Sequence, residues 1–286
     1  MAEIKRATTY EEQLEILEQR GIVVSDEEAC KKILENINYY RLLAYLLPFK
    51  IDDQHYKEGT EFLRVYRIYE FDRKLRRILF SALEDVEISL RAKFSYYHAH
   101  KYGPIGYLDP SNFSDKHDPV KFKDQIDREV YNNRSVPFVK HHIDNYGGVF
   151  PLWAMTELFT FGMLSRFYAD MTTADQKYLA RRVYNSTPSN IRSWLRCCSD
   201  LRNICAHYGR LYFRVFSAIP AGFSLPQAVS SRLWGAVLAL RGLYMDPHKW
   251  NAEVVPAISA LIEEYRDAID LHHLAFPPDW EAQLAK

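Results

Sequence analysis

The residues best suited to chemistry lie together in residues 190–211, a stretch with helical spacing. At 100° per residue, five polar side chains share one face of such a helix within about 80° of arc: Arg192, Arg196, Asp200, Asn203 and His207. The opposite face is apolar and carries Trp194, Cys198, Leu201 and Cys205. The polar stripe contains no Lys and no Glu, the usual residues of a solvated helix face, and this makes it the first candidate site.

His207 is the member of this stripe that can act as a general acid or base. It lies just before Gly209, in the last helical turn, where the helix dipole favours the imidazolium by about 0.3–1 kcal/mol. Such a group can move protons near neutral pH. Arg202 falls about 120° from Arg196, at the margin of the apolar face. Two arrangements stay open: Arg202 and His207 act together, within one chain or through a second subunit, or Arg202 pairs with a buried carboxylate while His207 caps its helix.

Familiar catalytic and metal-binding patterns are missing from the sequence. It has no GxxxxGK[ST], GxGxxG, HExxH or GxSxG motif. The four cysteines include no CxxC pair, so we expect buried, reduced thiols rather than a zinc site or a disulfide: Cys30, Cys197, Cys198 and Cys205. Histidines at 98/100, 141/142 and 272/273 are more typical of surface or loop positions than of metal ligands. We therefore predict neither a metal site nor a cofactor.

The composition is that of a globular protein without bulk affinity for polyanions. Among 286 residues, 37 are Lys or Arg and 37 are Asp or Glu, so the formal net charge is zero. Hydrophobic residues make up 48% of the chain, which excludes a disordered protein, and 11 glycines are few for a β-sandwich or a Rossmann sheet. No signal peptide is visible, and the longest uncharged run, residues 215–231, is interrupted by Pro220 and Pro226. We predict a cytoplasmic protein without membrane contact.

Helical periodicity dominates the chain and predicts an all-α fold. The longest run, residues 61 to about 100, carries an excess of four positive charges over residues 64–101. Shorter helices are predicted over residues 9–20, 25–36, 37–45, 120–132, 151–167, 173–183, 189–208, 227–244 and 253–272. Ser25 and Glu28 are predicted to form a capping box, and Gly209 to close the 189–208 helix. Residues 103–120, 137–148 and 276–280 are predicted to be irregular or extended.

Five sequence blocks resemble, in the same order, those of the Abi (abortive infection) family that includes AbiD and AbiF. They are INYYRL at 37–42, YEFDRKLR at 69–76, EDVEISLR at 84–91, PLW to FG at 151–162 with Glu157, and LRNICAHYGRL at 201–211. Residues 202–207, RNICAH, are similar to the R-x(4–6)-H motif of HEPN-superfamily ribonucleases. The family string has a second His or a Ser after the motif His, where this chain has Tyr208.

This resemblance implies a HEPN-like helical bundle with additional N- and C-terminal helices. We divide the chain into an N-terminal helical arm (1–58), a HEPN-like core (59–245) and a C-terminal helix with tail (246–286). The implied function is anti-phage defence by a metal-independent endoribonuclease toxin that cleaves RNA through attack of the 2′-OH. The implied assembly is a homodimer. A small structured antitoxin RNA is the implied restraint.

The resemblance also implies roles for individual residues. Arg202, Asn203 and His207 are the implied catalytic residues, and Arg192, Arg196 and Arg210 the implied RNA contacts. Tyr39, Tyr40, Tyr96 and Tyr97 are candidates to stack on bases, although aromatic residues at helical spacing are more often core. Two alternatives stay open: a non-catalytic RNA-binding module and a structural dimerisation domain.

Overall fold

A computed structural model describes residues 6–285, and helices make up most of it. The prediction of an all-α fold is therefore confirmed. The helices are α1 (Tyr10–Gln19), α2 (Glu27–Asn36), α3 (Tyr39–Leu43), α4 (Phe62–Tyr102), α5 (Pro119–Asn132), α6 (Pro137–Tyr146), α7 (Leu152–Met155), α8 (Phe161–Asp170), α9 (Thr173–Tyr184), α10 (Pro188–Ala206), α11 (Gln227–Ser230), α12 (Leu233–Leu243), α13 (Pro247–Lys249), α14 (Val255–Glu264) and α15 (Trp280–Leu284). A π-helical turn, Trp250–Val254, joins α13 to α14. Two short strands, β1 (Ile22–Val23) and β2 (Thr60–Glu61), form a parallel pair.

The long helix α4 is the axis of the molecule. Its 41 residues span about 60 Å. Apolar side chains recur every three or four residues and are buried along its length, among them Ile68, Leu75, Leu79, Leu83, Val86 and Leu90. Helix α10 packs against α4 and also against α8, α9 and α12. The motif helix therefore lies at the centre of the bundle, with one face buried and one free to carry polar residues.

The buried core runs through all three predicted segments of the chain. Leu14 of α1, Leu79 of α4 and Leu284 of α15 are each at most 2% exposed and belong to one continuous apolar cluster. Within residues 6–285, none of the helices combines the length and the apolar character that a membrane crossing needs.

A capping box that was not predicted forms at α1, and the one predicted at α2 is not formed. Thr9 and Glu12 form a reciprocal capping box at α1. At α2 the N-cap is Asp26, whose carboxylate accepts a hydrogen bond from the Ala29 amide, so the predicted box of Ser25 and Glu28 is wrong. Asp is as good an N-cap as Ser, and the cap position is decided by where the chain turns.

Residues 137–148 were predicted to be irregular, and they form α6 instead. Pro137 occupies the first turn, where a missing amide costs nothing, and Gly147 ends the helix at φ +62°. Pro137 and Gly147, interpreted from the sequence as helix-breaking residues, mark the two ends of this helix.

Three long predicted helices are interrupted in the structure. The 151–167 helix divides into α7, a 3-10 turn at Thr156–Leu158 and α8, because the Thr160 hydroxyl caps α8 at the Met163 amide. The 227–244 helix divides into α11 and α12, and the 253–272 helix ends at Glu264. The tail, predicted to be extended, contains α15.

Candidate active site

Helix α10 has the two faces that its sequence predicts. Thr187 caps its start and Pro188 lies in its first turn. The apolar face is buried, and burial raises the pKa of the Cys197 and Cys205 thiols to about 12, which makes them poor nucleophiles. The polar face is exposed at Arg192, Arg196, Asn203 and His207, while Asp200 is half-buried.

The C-terminus of α10 has unusual backbone geometry immediately after His207. The helix ends at Ala206 and His207 is its cap, so it ends earlier than predicted. Tyr208 adopts a left-handed conformation at φ +58°, a position where glycine is the usual residue. Gly209 is required for a different reason: a Cβ on it would lie 3.0 Å from the Ile204 side chain and 3.2 Å from its carbonyl oxygen. The Gly209 amide donates to that same carbonyl at 2.7 Å and closes the helix end.

A buried carboxylate on α4 holds the chain that follows. Asp72 is fully buried and accepts hydrogen bonds from the Tyr45 hydroxyl at 2.7 Å and from the Tyr212 amide at 2.7 Å. It also accepts from the Leu211 amide at 3.1 Å and forms an ion pair with Arg76. Arg76 in turn donates to the Gly209 carbonyl at 3.2 Å. Residues 209–212 are thereby fixed against α4, and with them the position of His207.

Arg202 points toward α4 and joins a chain of alternating charges. Its Nε lies 3.5 Å from Glu87 Oε2, and its guanidinium lies 5.9 Å from the centre of the Phe80 ring. Glu87 also pairs with Arg91 at 2.8 Å, as an i, i+4 pair on α4. Arg91 reaches the Phe159 carbonyl at 3.0 Å and Glu157 at 3.5 Å. This chain of contacts from Arg202 therefore joins three of the family-like sequence blocks, at residues 84–91, 151–162 and 201–211.

The predicted catalytic residues do not form one compact group within the chain. His207 and Asn203 are exposed, and their side chains form no hydrogen bond within residues 6–285. No hydrogen bond, ion pair or cation–π contact joins Arg202 to His207 in that range. Within one chain, Arg202 therefore pairs with a half-buried carboxylate while His207 caps its helix, which is the second of the two arrangements that the sequence left open. The terminal nitrogens of Arg202 make no hydrogen bond in the described part of the chain and are available to a ligand.

Sequence reasoning missed a cationic groove beside this helix end. The groove has a volume of about 580 Å³ and is lined by Arg41, Tyr69, Arg73, Arg76, Arg77, Phe80, Cys205, Ala206 and Tyr208. Arg41 donates to the Tyr208 carbonyl at 2.8 Å, and Arg73 pairs with Glu70 at 2.9 Å. Arg77 is exposed and has no ion pair among the described residues. The available signal was the spacing of residues 69, 73, 76, 77 and 80, which places them on one face of α4.

The three arginines predicted to contact RNA lie in two different environments. Arg192 and Arg196 are exposed on α10 and pair with no acid in residues 6–285. Arg210 is half-buried and donates to the Ala44 carbonyl at 2.7 Å. Burial lowers the pKa of Arg210 from its usual value. Arg210 therefore lies against the C-terminal end of α3, away from the exposed face of α10 that carries Arg192 and Arg196.

The predicted aromatic residues also divide into two groups. Tyr40 is 73% exposed and Tyr96 is 68% exposed, whereas Tyr39 and Tyr97 are half-buried. In residues 6–285, no cluster of three or more His, Cys, Asp or Glu side chains has a geometry that would hold a metal ion.

Fold and site together define an all-α protein with an arginine-lined groove beside a histidine-capped helix. The family model described as Abi-like protein matches residues 32–213, well over half of the chain, and the chain belongs to this family. The match includes the groove, all of α10 and the chain held by Asp72. Comparison with curated proteins gives no match, and comparison with solved structures gives none.

Proposed function

We propose that the protein is a metal-independent endoribonuclease of abortive-infection defence. The observation that carries the proposal is the exposed His207 at the end of α10, next to a groove lined by Arg41, Arg73 and Arg77. Membership of the Abi-like family supports the role in defence. RNA supplies its own nucleophile, so the protein needs a proton-transfer group and cations that stabilise phosphate charge.

The reaction consists of one displacement at phosphorus. The ribose 2′-oxygen forms a bond to phosphorus as the bond to the 5′-oxygen breaks. The His207 imidazole of one copy takes the 2′-OH proton, and the His207 imidazolium of a second copy donates a proton to the leaving 5′-oxygen. Arg202 binds the non-bridging oxygens through its terminal nitrogens, and Asn203, one turn before His207, contacts the phosphate or orients the imidazole. The products carry 2′,3′-cyclic phosphate and 5′-OH ends.

A second copy of the chain completes this site in the proposal. One chain keeps Arg202 on Glu87 and His207 at the surface, so neither surrounds a phosphate alone. Two α10 ends facing each other in a homodimer bring two histidines and two arginines to one RNA strand. Arg192 and Arg196 contact further phosphates of the RNA along α10. Arg210 contributes indirectly, through its hydrogen bond to the Ala44 carbonyl. A small structured RNA made with the protein restrains it by occupying the same cations.

The test is an RNA cleavage assay in EDTA on protein stripped of copurified RNA by high salt. We expect wild type to cut a labelled single-stranded RNA, and His207→Ala and Arg202→Ala to be at least about 100-fold slower. His248→Ala and Arg128→Ala, which change exposed residues on α13 and α5, serve as matched controls. Circular dichroism confirms that each variant is folded.

The alternative with a specific observation in its favour is a non-catalytic RNA-binding module. Arg202 forms an ion pair with Glu87 and, within the described chain, no hydrogen bond or cation–π contact with His207, and this favours the alternative. Salt-dependent RNA binding without cleavage selects this alternative. A stable dimer without RNA affinity selects a structural dimerisation domain instead.

A further inference from the structure

A second groove, of about 760 Å³, lies between the C-terminal part of α4 and helix α9. The side chains that matter in it are Lys93, Tyr96, Tyr97, Lys101 and Tyr178. Lys93 follows Arg77 along the same continuous helix by about 24 Å, on a different side of it. The groove is therefore separate from the site at the end of α10.

Tyrosine rings form an open surface in this groove. Tyr96 is 68% exposed and Tyr178 is 51% exposed. Tyr178 stacks on Tyr97 with ring centres 4.8 Å apart and planes 20° apart, and the Tyr97 hydroxyl is fixed by donating to Asp175 at 2.6 Å. The Tyr96 ring contacts the ring of His100 at 4.0 Å. Neighbours thus hold both exposed rings in place, which lowers the entropy lost when a flat ligand stacks on them.

The groove is lined by two lysines and by no acid. Lys93 donates to the Ser89 hydroxyl at 2.9 Å, and Lys101 pairs with the buried Asp175. Residues 88–108 contain three Lys or Arg and no acid, and residues 173–199 contain five and a single acid, Asp175. Asp175 is fully buried and accepts hydrogen bonds from Lys101, Tyr97 and Tyr102. The cations of α9 have no ion pair or side-chain hydrogen bond in residues 6–285: Lys177, Arg181 and Arg182.

We propose that this groove is an anchoring site for single-stranded RNA. Bases stack on Tyr96 and Tyr178, and phosphates contact Lys93 and the cations of α9. The inference deepens the proposed function and rests on RNA being the ligand of the protein. Exposed aromatic rings next to the α9 cations, which have no ion pair in residues 6–285, favour a nucleic acid over an apolar peptide, for which those cations would have no partner. The RNA is held here while a distant part of the strand lies at His207.

The test measures binding of a fluorescein-labelled 2′-O-methyl oligouridylate, which lacks the attacking hydroxyl and stays intact. We expect Tyr96→Ala and Tyr178→Ala each to weaken the Kd at least about fivefold, as loss of one stacked base does. Lys93→Ala should reduce the slope of log affinity against log salt by about 0.7, the value for one phosphate of a single strand. Tyr131→Ala on α5 and Lys140→Ala on α6, both at exposed positions, are the matched controls and should bind as wild type does. Photocrosslinking with 5-iodouridine RNA should label Tyr96 or Tyr178.

Unchanged affinity in all three groove variants, with crosslinks outside the groove, overturns the inference. It is also overturned if Tyr96→Ala dissociates a dimer in sedimentation without changing RNA affinity, because the groove is then an interface between two copies. The proposed function fails separately. If wild type binds RNA through this groove and never cuts it, the anchoring site stands and the nuclease proposal fails. If wild type cuts RNA while the groove variants bind normally, only the anchoring site fails.

Discussion

Replacing Asp72 by Asn tests whether the buried ion pair on α4 holds the end of the motif helix. Asp72 is fully buried and Arg76 is 5% exposed. The Asn side chain keeps the size of the carboxylate but leaves the Arg76 guanidinium without its anionic partner. Breaking a buried pair in this way costs about 3–5 kcal/mol. For a chain of 286 residues, whose entropy of unfolding is about 0.6 kcal/mol/K, the loss corresponds to a fall in Tm of roughly 5–8 °C.

The matched control is an ion pair with the same spacing and high exposure. Lys123 and Asp127 form an i, i+4 pair on α5, and their side chains are 60% and 58% exposed. Asp127→Asn should change the free energy of unfolding by less than about 0.5 kcal/mol. Both variants are compared by urea unfolding and by thermal melting followed by circular dichroism. Equal stability of Asp72→Asn and Asp127→Asn would refute the role given to the buried pair.

A double-mutant cycle separates the pair from general damage to the core. Arg76→Met alone leaves the Asp72 carboxylate buried without its cation, so it is also expected to be strongly destabilising. The variant with both substitutions should be more stable than the sum of the two losses predicts, by about 1–3 kcal/mol, because neither charge is then left unpaired. Strict additivity would show that the two residues act independently.

Three further outcomes are expected. His98, expected from the sequence at the surface or in a loop, is instead fully buried on α4, and burial lowers its pKa to about 4. The folded state therefore disfavours the charged form, and the free energy of unfolding falls by about 3 kcal/mol between pH 7 and pH 4. His98→Phe should remove this part of the pH dependence in urea unfolding, and identical pH profiles would contradict it. Tyr208→Gly should raise the free energy of unfolding by about 1 kcal/mol, because glycine adopts the left-handed conformation without strain, and should weaken RNA binding by removing a groove ring; a loss of stability would contradict this. Arg77→Ala should leave the Tm unchanged and reduce the salt slope of RNA binding by about 0.7, whereas Arg128→Ala should change neither; an unaltered slope would exclude a phosphate contact.

The sequence was sufficient for features with local causes. The apolar spacing of residues 61–100 predicted α4 to within two residues at each end, because one continuous face is buried along it. The helical spacing of polar and apolar residues over 190–211 predicted which face of α10 is exposed. The pairing of Glu87 with Arg91 has a local cause of the same kind, their i, i+4 spacing on one helix.

Features that depend on distant parts of the chain were not predictable from the residue pattern. In the sequence, Asp72 cannot be distinguished from the other acids of a helix with mixed charges. Its hydrogen bond from the Leu211 amide, 139 residues later, depends on the folded chain. The arginine-lined groove combines α3, α4 and the end of α10, three segments whose proximity no periodicity reveals. Residues 137–148 were mistaken for a loop because proline and glycine both break a helix and mark its ends.

The most direct test of the central claim compares two oligonucleotides of one sequence, one of RNA and one of 2′-O-methyl RNA, in EDTA. Attack by the 2′-OH predicts that wild type cuts the RNA, leaves 2′,3′-cyclic phosphate and 5′-OH ends, and leaves the 2′-O-methyl strand intact. His207→Ala should leave both strands intact over the same time. Cleavage of the 2′-O-methyl strand at a comparable rate, or full activity of His207→Ala on RNA, would contradict the account.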